Sequence, residues 1–310
     1  MRKKLDKIDL RILYELDVDC RQPISNIAKK IRKSSAYVKY RINRLKEEKV
    51  IQSVSVLVDF PKGVYENYGF IRLKGSGVIE EKLLLDFLFK MPETYRLYWC
   101  DGKYEIIASF LVKDLRRLNE IKNILVNNFS NIEIIFFHTV ADSKLSVKNY
   151  LVGELDQHML SIGRDALEPE QLSKQIVIEL QRNPFASLLE ISTVLGISYD
   201  RIKYLFKTAL PYKGMRLVLG ESNQKVKKAI LFLDVVKRTE EIMEHAAYHP
   251  NVVQTDNLVG EYNFVLYFEC FADQEIQRII KEFLYQFKDA IANHIRIDIV
   301  NTYKYRAVNL

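Results

Sequence analysis

The chain of 310 residues has only three cysteines, Cys20, Cys100 and Cys270, far apart and in no CxxC pair. That excludes a disulfide framework and a thiolate zinc site and leaves all three as small packing residues. Long apolar runs are missing too: no stretch approaches the roughly 20 residues of a bilayer-spanning helix. Asp6 and Asp9 interrupt any signal-peptide reading of "MRKKLDKIDL". The expectation is a cytoplasmic protein with no membrane partner. There is no phosphate-cradling glycine loop, no GxSxG elbow and no cysteine paired with a plausible base. His138, His158 and His294 are isolated. His245 and His249 stand four apart in "HAAYH", a metal-ligand spacing, but without a third ligand or intervening Glu an ordinary helix surface is the better reading. No catalytic residue, metal or cofactor is expected, and the chain is not read as an enzyme.

What the chain does have is enough hydrophobic sequence, 48%, for more than one core, and a net charge of +7. Residues 1 to 60 hold fifteen Lys and Arg against eight Asp and Glu, so the whole positive excess lies in the first fifth of the chain. Electrostatic capture of phosphates needs such a basic module.

That module reads as three helices and a strand. Leu5, Ile8, Ile12 and Leu16 recur at helical spacing, with Asp6 and Asp9 in the first turns, where the helix dipole favours them. Pro23 opens a second helix with Ile24, Ile27, Ala28 and Ile31 on one face. Ser34 is a good N-cap for a third, whose Val38, Ile42 and Leu45 face inward. The same spacing turns Ser35, Lys39, Tyr40 and Asn43 outward, with Tyr37, Arg41 and Arg44 on the flanks. "VIQSVSVLV" then alternates as an exposed strand or wing would. Two short helices joined by a tight turn, the second bearing cationic and amide side chains, fit the helix-turn-helix plan for the major groove of double-stranded DNA. The bland alternative is a solvated face of a three-helix domain.

The stretch from Leu5 to Ile51 resembles the N-terminal winged helix-turn-helix of the Lrp/AsnC family of leucine-responsive regulatory proteins. It matches the opening Leu-Asp, Asp9, Ile12-Leu13, Arg21, the Ile27-Ala28 pair, the capping Ser34 and the "RINRL" ending. The family usually has glycine where Lys49 stands and often where Arg32 stands, so these two turns are expected to differ in shape. Residues 67 to 145 read as strand, helix, strand, strand, helix, strand, for which a ferredoxin-like sheet with both helices on one face is the natural arrangement. This resembles the family's effector-sensing and assembly domain. The resemblance implies a ligand pocket near the turn "CDGKYE", where Gly102 and Tyr104 match the family's Gly-x-Tyr-Asp and Glu105 replaces the Asp.

The chain then repeats. A shift of 164 lays the first helix-turn-helix on a second without a gap, putting Ile27 on Ile191, Ser34 on Ser198 and Val38 on Ile202. A shift of 158 does the same for the sensing unit, putting Pro92 on Pro250, Gly102 on Gly260 and Tyr104 on Tyr262. The fold class is therefore α+β, with two winged helix-turn-helix domains (1–62 and 151–225) alternating with two ferredoxin-like βαββαβ domains (63–150 and 226–310).

In the second head Leu205 replaces Arg41, Thr208 replaces Arg44 and Asp200 adds a negative charge; Arg201, Lys203, Tyr204 and Lys207 remain as candidate DNA contacts. A weaker reading head and a module kept for packing or partner contact are equally open. In "VGEYNF" the candidate effector residues are Gly260, Tyr262 and Asn263, an amino acid being the ligand that the resemblance implies; a hairpin turn kept only for strand pairing is the alternative. Siroheme decarboxylases resemble the family in architecture, so a tetrapyrrole-handling enzyme is the alternative function. Sensing domains of the family pair through their sheets, giving either an intramolecular pseudo-dimer or a homodimer.

Overall fold

A computed structural model describes residues 5–75, 77–153, 159–163, 166–208, 212–220 and 226–305. The first head begins with helix α1 (Lys7–Val18), capped by Asp6, whose carboxylate accepts the N–H groups of Ile8 and Asp9 at 2.9 Å. The Asp9 carboxylate accepts the Asp6 N–H in return, so two donors that a helix start leaves open are satisfied. Helices α2 (Ile24–Ile31) and α3 (Ser35–Glu47) follow, with the Ser34 hydroxyl accepting the Tyr37 N–H at 3.2 Å. Val38, Ile42 and Leu45 are buried as their spacing requires; each such side chain contributes about 1.5–3 kcal/mol through its burial. The two turns without glycine keep the left-handed shape after all: Arg32 has φ 57° and Lys49 φ 55°. Each costs on the order of 1 kcal/mol relative to glycine.

Strand β1 (Ile51–Val58) leads to the first sensing unit: β2 (Tyr65–Leu73), α4 (Val78–Lys90), β3 (Thr94–Asp101), β4 (Ile106–Val112), α5 (Arg116–Asn128) and β5 (Ile132–Ser146). A single 3-10 turn (Asn149–Leu151) and a short β6 (Met159–Ile162) precede the second head, α6 (Gln171–Arg182), α7 (Leu188–Leu195) and α8 (Tyr199–Thr208). The bounds of α1 and α2 recur in α6 and α7 at the shift of 164 read from the sequence. Strand β7 (Tyr212–Leu219) then leads to β8 (Lys227–Val235), α9 (Thr239–Ala247), β9 (Val252–Val259), β10 (Phe264–Cys270), α10 (Asp273–Gln286) and β11 (Ile291–Lys304).

Strand β1 is not a free wing. It pairs antiparallel with β7, from Ile51 opposite Leu219 to Val58 opposite Tyr212, so each head's trailing strand finds its partner in the other copy. One apolar core accordingly runs from Ile12, Val38 and Leu45 through this ribbon to Ile176, Ile191 and Ile202.

The sensing units show strand orders β5-β2-β4-β3 and β11-β8-β10-β9, the ferredoxin-like arrangement. They join at both edges, β3 to β11 and β5 to β9, and close an eight-stranded antiparallel barrel within one chain. Closure leaves no unpaired edge on either unit. Alternation along the strands then fills three layers. Leu231 and Leu233 face outward to α9 and α10, Ile71 and Leu97 outward to α4 and α5, and Phe70, Tyr98, Phe232 and Tyr267 inward. Buried charge inside the barrel is paired: Arg96, 0% exposed, lies between Glu66 and Asp256 and donates to the Tyr68 and Tyr267 hydroxyls.

Polar links dock the heads and ribbon on the barrel. Asp17 of α1 accepts the Lys148 N–H at 2.9 Å, while the Lys148 ammonium and the Tyr150 hydroxyl both donate to Glu269 of β10. Arg216 and Lys228 donate to the carbonyls of Val253 and Leu219. Burial alone would raise the Glu269 carboxyl, but the ammonium groups of Lys148 and Lys228 outweigh it and hold it down at about 2.

Candidate nucleic-acid interface

The exposed face of α3 carries Ser35, Lys39, Tyr40 and Asn43, as its spacing requires; Tyr40 is 63% exposed. Arg41 and Arg44, expected on the flanks of that face, point into the head instead. Arg41 donates to Asp6 at 2.8 Å and to Asp9 at 2.9 Å, and also to the hydroxyl of the half-buried Tyr37. Arg44 donates to the other Asp9 oxygen at 2.5 Å. Asp9 is wholly buried, so both of its oxygens are matched by guanidinium groups in a two-pronged clamp between α1 and α3. Burial works against ionisation of Asp6, but the Asp9 N–H and Arg41 prevail and hold its carboxyl below the usual range. Tyr37, Arg41 and Arg44 are thereby engaged within the head, and the outward cation of α3's first half is Lys39.

The shift of 164 puts Ser173 at the place of Asp9. Ser173 is buried, and Leu205 and Thr208 stand where the two arginines were. The second head has therefore lost the whole clamp, carboxylate and guanidiniums together. On α8, Lys203, Tyr204 and Lys207 are exposed, but Arg201 is drawn to Glu170 at 3.1 Å and lies over the Tyr204 ring. Asp200 is exposed beside them.

The heads also touch directly, which the sequence did not signal. Arg21 donates to the Pro184 carbonyl at 3.1 Å and lies over Phe206, and the Lys46 ammonium sits 3.8 Å from the centre of the Phe185 ring. The pair Arg21 and Phe185 occupies one repeat position, so each head offers the same corner to the other.

The candidate effector residues divide. Gly102 and Gly260 occupy equivalent turns with φ 141° and 157°. A Cβ on Gly260 would come within 2.6 Å of the His138 ring, so close approach requires glycine there. Tyr104 and Tyr262 belong to the barrel interior rather than an open loop. Asn263 is not an uncommitted amide: its Oδ1 accepts the Val235 N–H and its Nδ2 donates to the Val235 carbonyl, both at 2.8 Å. It ties the turn to the end of β8. The pair His245 and His249 packs against Phe283, Phe287 and Phe268, and burial pushes His249 down to about 4; the described residues contain no cluster of three metal-binding side chains.

Residues 5–52 match a family described as winged helix-turn-helix DNA-binding. The uncharacterized HTH-type transcriptional regulator PH0140 of Pyrococcus horikoshii is 34% identical over 115 residues, which cover 37% of this chain and 72% of that protein. The chain belongs to the Lrp/AsnC family of DNA-binding transcription regulators. Another relative, the HTH-type transcriptional regulator FL11 of the same organism, is 28% identical over 126 residues, 40% of this chain and 82% of that one. Each of these Lrp/AsnC-like matches spans well under half of the present chain. Over nearly its whole length, 98%, the chain is similar in fold to the crystal structure of the siroheme decarboxylase NirDL, of which 94% is covered, with a TM-score of 0.61 and 13% identity. At that identity the likeness is one of fold alone.

Proposed function

We propose that this Lrp/AsnC protein reads DNA as a single-chain pseudo-dimer with unequal heads, the first leading through the α3 face of Ser35, Lys39, Tyr40 and Asn43. The observation that carries this is the difference between the two exposed faces. The row from Ser35 to Asn43 on α3 is free of acidic side chains, whereas α8 carries the exposed Asp200 along with its three cations and has Arg201 tied to Glu170. Division of labour follows the segments 1–62 and 151–225 as heads on 63–150 and 226–310 as the barrel, in the cytoplasm and without catalysis. Unequal heads favour an asymmetric operator. A small molecule acting on the barrel would meet Tyr104 and Tyr262 on its inner wall, near the Gly102 and Gly260 turns. An enzymatic reading has no support beyond a fold shared with NirDL.

The test is fluorescence anisotropy with DNA recovered by binding-site selection. Replacing Lys39, Tyr40 and Asn43 together by alanine should weaken binding by well over tenfold and lower the salt slope by about 0.9 for each phosphate that is no longer neutralised. Replacing Lys203, Tyr204 and Lys207 should change both much less. Equal losses from the two triple variants would make the heads equivalent and refute the reading.

A further inference from the structure

Where the two heads meet, a groove of about 420 Å³ opens between the α1–α2 turn, α3 and the corner of the second head. Its volume lies within the roughly 300–1,000 Å³ range of small-molecule sites. Ile24 and Ile42 form an apolar floor and Phe185 a wall. Along one side run Lys39, Asn43 and Lys46, at i, i+4 and i+7 on α3, which align as a row of ammonium, amide and ammonium.

The chemistry of that row is one-sided. Among the described residues no carboxylate lines the groove, and neither Lys39 nor Lys46 makes an ion pair. Lys46 lies against the Phe185 ring, and burial lowers its affinity for its proton. A partly desolvated ammonium held over an aromatic face, next to an apolar floor, is poised to gain from an anion that brings its own hydrocarbon. A cation would find no counter-charge, and a wholly apolar molecule would cover Lys46 without replacing its hydration.

We propose that the groove binds a small amphipathic carboxylate. Its apolar body rests on Ile24, Ile42 and Phe185, its carboxylate is held by Lys46 and Asn43, and its occupancy releases DNA. The last clause rests on the reading of α3 as the leading DNA surface: Asn43 serves both ligands and Lys39 lines the groove beside it, so each ligand weakens the other by the same factor.

Calorimetry on the full chain without DNA tests the site, with octanoate as probe and octanol and octylammonium as controls. Octanoate should bind saturably at one site per chain, octanol at least about tenfold more weakly and octylammonium not at all. Lys46→Gln should weaken octanoate about tenfold, since one charge-assisted hydrogen bond is worth about that factor, while lowering the melting temperature only by what the cation–π contact to Phe185 contributes. Phe185→Ala, which removes the wall from the other head, should weaken it as well. Octanoate that fails to saturate, octanol that binds as tightly, or a Lys46→Gln variant with unchanged affinity would overturn the site. A second arm adds octanoate to the DNA complex, where anisotropy should fall. If octanoate saturates the free protein but leaves the DNA affinity unchanged, the release clause is refuted. Failure of the chain to hold DNA at all strikes the reading of α3, and the calorimetric result then still decides the site.

Discussion

Replacing Arg41 with leucine, the residue at the matching place in α8, would leave the wholly buried Asp9 with Arg44 alone and Tyr37 without its guanidinium donor. Breaking a buried ion pair from one side costs about 3–5 kcal/mol because a charge remains desolvated, and the surviving Arg44 interaction puts the expected loss near 3 kcal/mol. Asp9→Ser, again borrowed from the second head, removes the stranded charge. Adding it to Arg41→Leu should make the double variant more stable than the sum of the two single losses by about 2 kcal/mol. Urea denaturation followed by circular dichroism reads these differences. DNA affinity of the Arg41→Leu variant, measured where it is still folded, should keep its salt slope, since Arg41 neutralises no phosphate. A cost for Arg41→Leu under about 1 kcal/mol together with a salt slope reduced by about 0.9 would show that the guanidinium faces DNA and that the clamp is wrong.

Two further outcomes follow from the barrel. Asn263→Ala removes both hydrogen bonds to Val235, so the unliganded protein should lose about 1–3 kcal/mol in the same urea assay; an unchanged midpoint would mean that the amide is free to meet a ligand. Glu269, with a folded pKa of about 2 against an ordinary 4.5, contributes stability that is fully present above 4.5 and is lost as the pH falls from there toward 2, roughly 3 kcal/mol in all. In Glu269→Gln the unfolding free energy should fall less steeply over that window, and identical slopes in the two proteins would refute the assignment.

Much of the architecture was legible because it is written twice. Helical spacing in the first head, period-two alternation in the sensing units and the two shifts predicted the helices, the strands and their order. What failed was anything decided by contact between the copies. The alternation of "VIQSVSVLV" marks a strand but not its partner, and only β7 shows that the polar side of β1 is half of a ribbon. Pairing of the two sensing units stayed open between one chain and two for the same reason, since strand edges carry no residue code for which edge they meet. At the DNA surface, Asp9 read correctly as a residue suited to a helix start, and that reading hid its second role. The signal was available: Asp9, Arg41 and Arg44 change together to Ser173, Leu205 and Thr208, a correlated loss that points to mutual contact. Read one at a time, the two arginines looked like phosphate ligands, and the charge contrast between the heads looked larger at the DNA surface than it is.

Because β3 meets β11 and β5 meets β9 within one polypeptide, bringing the two heads together requires no bimolecular step. A regulator built from separate subunits loses its paired heads on dilution, and its occupancy of DNA then follows a higher power of its concentration. Here the second head is present at a fixed effective concentration however scarce the protein is. For the single-chain pseudo-dimer proposed above, promoter occupancy should track the number of chains in simple proportion, and a cell could run such a regulator at copy numbers where a dissociable dimer would already have come apart.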